Sequence, residues 1–88
     1  MKIAFEASFA RDLKHIRNKQ LLQQVQQVIE NVKEAATIDT VRGLKKMQGY
    51  DTFYRLRLGD YRIGIEVVDD QGVFVRFLHR KDVYRYFP

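Results

Sequence analysis

The sequence has no cysteine, which excludes a disulfide framework, a thiolate metal site and a cysteine nucleophile. It has only two histidines, His15 and His79, and neither sits in an H-x-x-x-H or H-E-x-x-H pattern, so no metal centre is expected. No glycine-rich phosphate loop is present, which argues against small nucleotides and against a small-molecule cofactor. No apolar run is long enough for a signal-peptide core or a membrane span, and the N-terminal stretch carries Glu6 and Asp12. The expected address is therefore the cytoplasm, with no membrane spanned.

With 88 residues the chain reads as one domain, residues 1–88, able to bury a single modest core. A hydrophobic content of 45% with 12% aromatics excludes a wholly disordered chain. Sixteen Lys and Arg against eleven Asp and Glu leave a formal charge of +5, which favours nucleic acid, an anionic membrane or an acidic protein as partner without choosing among them.

Residues 1–6 alternate Ile3 and Phe5 with Lys2, Ala4 and Glu6 and predict a short strand, with Ser8 as N-cap of the helix that follows. Phe9, Leu13 and Ile16 recur at helical spacing. After a break at Asn18 and Lys19, a second helix over about 20–35 carries the stripe Leu21, Leu22, Val25, Val28, Ile29 and Val32, with glutamines on the solvated face. Residues 37–50 lose periodicity and read as a linker that tucks in Val41, Leu44 and Met47 and leaves Lys45 and Lys46 outside. Three strand-like runs follow at 52–58, 61–69 and 73–80, and then a short tail or helical turn that ends at Pro88. The expected class is α+β: an N-terminal strand, a helical hairpin and a three-stranded antiparallel meander in one twisted sheet.

Gly59 and Asp60 predict a two-residue type II′ turn, which sets Leu58 against Tyr61, Arg57 against Arg62 and Arg55 against Gly64. For the next hairpin, a three-residue loop Asp70-Gln71-Gly72 with a left-handed Gly72 keeps apolar residues on one face. It pairs Val67 with Val75, Ile65 with Phe77 and Ile63 with His79 on the core side. On the other side it pairs Val68 with Phe74, Glu66 with Arg76 and Arg62 with Arg80. Arg57, Arg62 and Arg80 then form one row. Like charges directly opposed on a sheet cost a few tenths to about 1 kcal/mol per pair. Such a row makes sense as an anion site, because guanidinium forks bind phosphate oxygens bidentately. Tyr84, Tyr86 and Phe87 would add stacking surface where exposed, a combination suited to a nucleic-acid backbone, although core packing is the commoner fate of any one of them.

The segments FYRLRLGDYRIGIEV and VFVRFLHRKDVYRYF, preceded by GLKKMQGY, resemble the RelE/ParE superfamily of toxins from toxin-antitoxin pairs, over essentially the whole chain. The resemblance implies a RelE-like fold. In the RelE branch it implies cleavage of mRNA in the ribosomal A site, by attack of a ribose 2′-hydroxyl on the adjacent phosphate. It implies Arg57, Arg62, Arg80 and Tyr84 as the catalytic set, with Arg55 beside them as a substrate-binding residue, and the basic side chains of Lys45, Lys46, Lys81 and Arg85 are expected to bind substrate as well. RelE itself has lysines where Arg55 and Arg57 stand. A guanidinium, which holds its proton far above neutral pH, is a poor proton carrier, which leaves Arg57 an electrostatic role. The segment from Arg80 to Tyr84 is also shorter than in RelE.

His79 has core-side parity and is left out of the catalytic set. A site without a strong acid–base pair is expected to need its substrate distorted by the ribosome, so free RNA should be a poor substrate. The resemblance also implies a cognate antitoxin protein as partner, for which an acidic amphipathic helix would complement the basic chain. Two alternatives stay open: a ParE-like inhibitor of DNA gyrase, a branch that generally lacks the arginine row and the tyrosine, and a catalytically degenerate basic binding module.

Overall fold

A computed structural model describes all 88 residues. Strand β1 (Lys2–Phe5) leads into helix α1 (Ala7–Lys14), and helix α2 (Lys19–Glu34) runs back beneath the sheet. A 3-10 turn at Ile38–Thr40 precedes β2 (Leu44–Lys46), β3 (Phe53–Leu58), β4 (Tyr61–Val68), β5 (Gln71–His79) and the one-turn helix α3 (Val83–Tyr86). The five strands form one sheet in the order β1-β5-β4-β3-β2, with β1 parallel to β5 and the other pairs antiparallel. The α+β class holds, and the expected linker contributes an additional edge strand.

The expected cap residues trade places. Ser8 lies inside α1, where its hydroxyl donates to the Val75 carbonyl at 2.6 Å, while the chain enters the helix through Glu6. Asn18, expected only as a break, caps α2 by accepting from the Leu21 N–H at 3.1 Å. Val25, Val28 and Val32 of the α2 stripe are buried against the sheet with Phe9, Leu56, Ile63, Ile65, Phe74 and Phe77.

The β3–β4 register is as expected: Gly59 has φ +60, and Leu58–Tyr61, Arg57–Arg62 and Arg55–Gly64 are cross-strand partners. The β4–β5 register is not. Asp69 and Asp70, with φ of 50 and 62, make a two-residue turn with both central residues left-handed, the geometry of type I′. Val68 therefore pairs with Gln71, Val67 with Gly72, Ile63 with Phe77, Arg62 with Leu78 and Tyr61 with His79. Gly72 does not supply a left-handed residue. It makes room for α2, since a Cβ there would stand 3.2 Å from the Val32 Cγ1. Between Gly64↔Arg76 and Ile65↔Phe74 the strand carries one extra residue, Val75. This bulge turns Phe74, expected on the outer side, into the core beside Phe77.

Glu66 faces Val73, and Arg76 finds its partner elsewhere. Because β1 covers only Gln71–Phe74, the outer edge of β5 beyond it would be left unpaired. Helix α1 closes that edge with Ser8 and with Asp12, which accepts from the Phe77 N–H at 2.9 Å and from Arg76 Nε and Nη2 at 2.8 and 3.0 Å. The Asp12 bond raises the Arg76 guanidinium above its ordinary value.

The second side of the sheet has a smaller core of Met47, Leu78, Val83 and Phe87, flanked by Phe53 and Val75. Phe87 lies on Gly64, where an added Cβ would meet its ring at 2.7 Å. Two outcomes test this packing. Asp12→Ala leaves the Arg76 charge and the Phe77 N–H without their acceptor and should cost about 2 kcal/mol in urea unfolding, with Asp12→Asn milder. Gly64→Ala should cost about 1–3 kcal/mol, and Phe87→Ala in the same chain should recover part of it, read as coupling in a double-mutant cycle.

Candidate functional site

The Gly59-Asp60 turn makes Leu58–Tyr61 the hydrogen-bonded pair, so Arg57 and Arg62 form the adjacent non-hydrogen-bonded pair, in which side chains stand closer. Arg62 Nη1 donates to the carbonyls of Gly59 and Tyr61, each at 2.9 Å, which anchors the guanidinium to the turn. Its Nε–H and both Nη2 hydrogens meet no protein acceptor and are available to an anion. Partial burial, then the charges of Arg57, Arg55 and Arg80, push Arg62 below the ordinary arginine value, with Tyr84 acting in the opposite direction. It keeps its charge at neutral pH, so the repulsion is held in place by the fold.

Arg80 joins this cluster by a route other than the expected pairing. It lies past the end of β5, where its N–H donates to the Asp60 carbonyl at 2.7 Å. Its Nε is 4.0 Å from Asp60 Oδ1, with both side chains well exposed, a contact too solvated to neutralise it. The straight row is thus a patch around the β3–β4 turn. Arg55 stands one pleat away, with its guanidinium 5.8 Å from the centre of the Tyr84 ring, and Tyr84 is 70% exposed.

Beside Arg55 opens a groove of about 420 Å³, with Lys45 and Lys46 at its rim and Met47 and Phe87 among its apolar lining. Lys45 is the cross-strand partner of Arg55, and Lys46 lies 3.8 Å from exposed Asp51. Lys81 and Arg85 are not part of the groove. Lys81 is exposed, with its N–H donating to His79 Nδ1 at 3.2 Å, and the Arg85 guanidinium stands 5.9 Å from the Tyr86 ring. His79 is half-buried against Tyr61, with ring centres 5.4 Å apart, so its neighbour is Tyr61 and not Ile63. Two groove residues escaped the sequence reading, Gln48 and Tyr50. The signal was the tetrad M-Q-G-Y, a turn with glycine at its third position, inside a segment read as a linker and as part of the family resemblance but without a site role for either residue.

The arrangement offers convergent, permanently charged donors with no buried carboxylate among them. Replacement of exposed Arg57 by threonine (Arg57→Thr) should raise stability by a few tenths of a kcal/mol, because a like-charge pair is lost. Added phosphate should stabilise the parent chain more than this variant in thermal unfolding.

Comparison with known proteins gives concordant results. The profile of a family described as ParE toxin of type II toxin-antitoxin system, parDE, matches residues 3–84. Toxin RelE3 of Methanocaldococcus jannaschii is 40% identical over 89 residues, spanning all of both chains. The toxin–antitoxin complex RelB-RelE from Methanococcus jannaschii contains a chain of 39% identity that superposes with a TM-score of 0.81, covering 97% of this chain and 99% of that one. A chain of the archaeal RelE-RelB complex from Pyrococcus horikoshii shares the fold at 18% identity, with a TM-score of 0.72 over 90% of this chain and 93% of its own length.

Proposed function

The chain belongs to the ParE/RelE family of toxins of type II toxin-antitoxin systems, and we propose that it is a ribosome-dependent mRNA endonuclease that halts translation by cutting the message in the A site. The observation that carries this reading is the directly opposed Arg57–Arg62 pair, joined by Arg55 and Arg80 and left without a neutralising carboxylate in its midst. Such an arrangement costs stability unless an anion is bound.

In the reaction a ribose 2′-oxygen bonds to the adjacent phosphorus and the bond from phosphorus to the 5′-oxygen breaks. One proton leaves the 2′-hydroxyl and one is taken up by the departing 5′-oxygen, which yields a cyclic phosphate and a 5′-hydroxyl end. Negative charge grows on the non-bridging oxygens, and donors already in place there lower the barrier. Arg62 and Arg80 hold the scissile phosphate, and Arg57 and Arg55 hold it or its neighbours. Tyr84, held over Arg55 and open to solvent, stacks on a base or moves a proton. No strong acid–base pair faces the cluster, which accords with a need for the ribosome to align the substrate.

The matching family profile carries the ParE name, and inhibition of DNA gyrase is the rival reading. Full-length likeness to Toxin RelE3 and the arginine cluster favour the nuclease. The M. jannaschii relative was solved with RelB, and a cognate antitoxin is the partner assigned to this chain, an acidic amphipathic helix suiting its charge of +5. No helix is long and apolar enough to cross a membrane, in keeping with a cytoplasmic site of action.

Production of the chain in cells should arrest growth and cut translated messages to give 5′-hydroxyl ends, mapped by primer extension. Arg62→Ala should lower cleavage by about 10²–10³. Supercoiling by gyrase should be untouched, and naked RNA should be cut far more slowly than ribosome-bound message. Arrest that persists with Arg62→Ala, or fast cleavage of naked RNA, would contradict the proposal.

A further inference from the structure

Resting on the nuclease reading, we propose that the groove beside Arg55 is a subsite for one unstacked RNA base next to the bound phosphate. Tyr50 provides its stacking platform and Gln48 reads the edge of the base.

The groove's volume of about 420 Å³ falls within the range of small-ligand sites, and its floor is apolar, with Met47 and Phe87 both buried. Tyr50 is 46% exposed yet its ring is held in place. It meets Phe53 edge-on at 5.6 Å, and Phe53 meets Phe87 edge-on at 5.5 Å, so the platform is braced by the small core on this side of the sheet. An aromatic face held in this way loses little freedom when a base stacks on it.

Gln48 occupies the tip of a turn closed by the Tyr50 N–H to the Met47 carbonyl at 3.2 Å, with Gly49 at φ +87, the backbone of a type II turn. Its side chain is exposed and engages no protein partner. A carboxamide offers both a donor and an acceptor, the pairing that base edges present and that lysine or arginine lacks. Charge continuity identifies the occupant. Arg55 lines the groove and also belongs to the cluster around Arg62, so a phosphate on the cluster delivers its attached nucleoside to the groove. Lys45 extends the same positive rim.

Amide NMR of the full-length chain tests the assignment, with inorganic phosphate compared against 2′-O-methyl trinucleotides that cannot be cleaved and that differ in one base. Phosphate should shift resonances of the cluster, Arg55, Arg57, Arg62 and Arg80, and trinucleotides should shift those of Gln48, Tyr50 and Tyr84 as well. Tyr50→Ala should weaken trinucleotide binding about tenfold with phosphate binding unchanged, whereas Tyr50→Phe retains it. Gln48→Ala should change the ranking of the four bases and, in a translation extract, redistribute cleavage among sites without abolishing it.

If trinucleotides shift only the residues that phosphate shifts, the subsite is refuted. The same holds if the Gln48 and Tyr50 variants keep the parent affinities and site distribution, or lose only antitoxin binding. A parent chain that binds bases in this way yet cuts no message would instead remove the nuclease reading and leave the subsite standing.

Discussion

The contact of Phe87 with the bare Cα of Gly64 decides what the second side of the sheet can be. Helices cover the first side, and on the second the only cover is a short tail. Helix α3 has four residues, too few to hold itself together in water, so its place comes from packing. Val83 and Phe87, each 2% exposed, are sunk among Met47 and Leu78, and Tyr84 between them is carried outward over Arg55. A side chain at position 64 would lift the anchor and take the exposed tyrosine with it. The same seating braces Phe53 and Tyr50, so the groove and the Tyr84 ring beside Arg55 share one support.

Arginines of the same sheet meet two fates, and geometry separates them. Arg76 follows the bulge at Val75 and reaches Asp12 on α1, which takes a bidentate contact and also satisfies the Phe77 N–H. That guanidinium is structural. Its raised pKa means the favourable interaction is fully present below the ordinary arginine range and is lost only at more alkaline pH, so it is constant under physiological conditions. Arg62 has the opposite shift, caused first by burial and then by like charges. For a cation held below its ordinary value the cost to folding is present wherever the group is charged. An anion bound there would offset that cost.

What could be read from residues depended on whether the deciding interaction was local. Gly59 in its turn determines the β3–β4 register by backbone conformation alone, and the placement of Arg57 opposite Arg62 followed. The β4–β5 register turned on two aspartates adopting positive φ, a conformation open to aspartate but favoured less than at glycine, so Gly72 drew the assignment away from the true turn. The bulge at Val75 compounded the error, because a strict alternation sends Phe74 to the wrong side. The same alternation sets Glu66 against Arg76, although the carboxylate that Arg76 uses lies on a helix 64 residues away. Likewise β2 exists because β3 offers it a free edge, and three residues of its own carry no periodic signal.

By itself the sequence determined the α+β class, the excess of positive charge, the absence of thiol chemistry and the crowding of arginines around one tight turn, since composition and short-range turn geometry suffice for these. Only the tertiary structure decided that Arg80 joins the cluster from beyond the end of β5, that Arg85 leans on Tyr86 away from the groove, and that Gln48 and Tyr50 face the same space as Arg55. Those placements rest on a glycine accepting a distant aromatic ring and on a helix closing an open strand edge. Neither is encoded in any short window of the chain, because each needs surfaces that exist only once the sheet has formed.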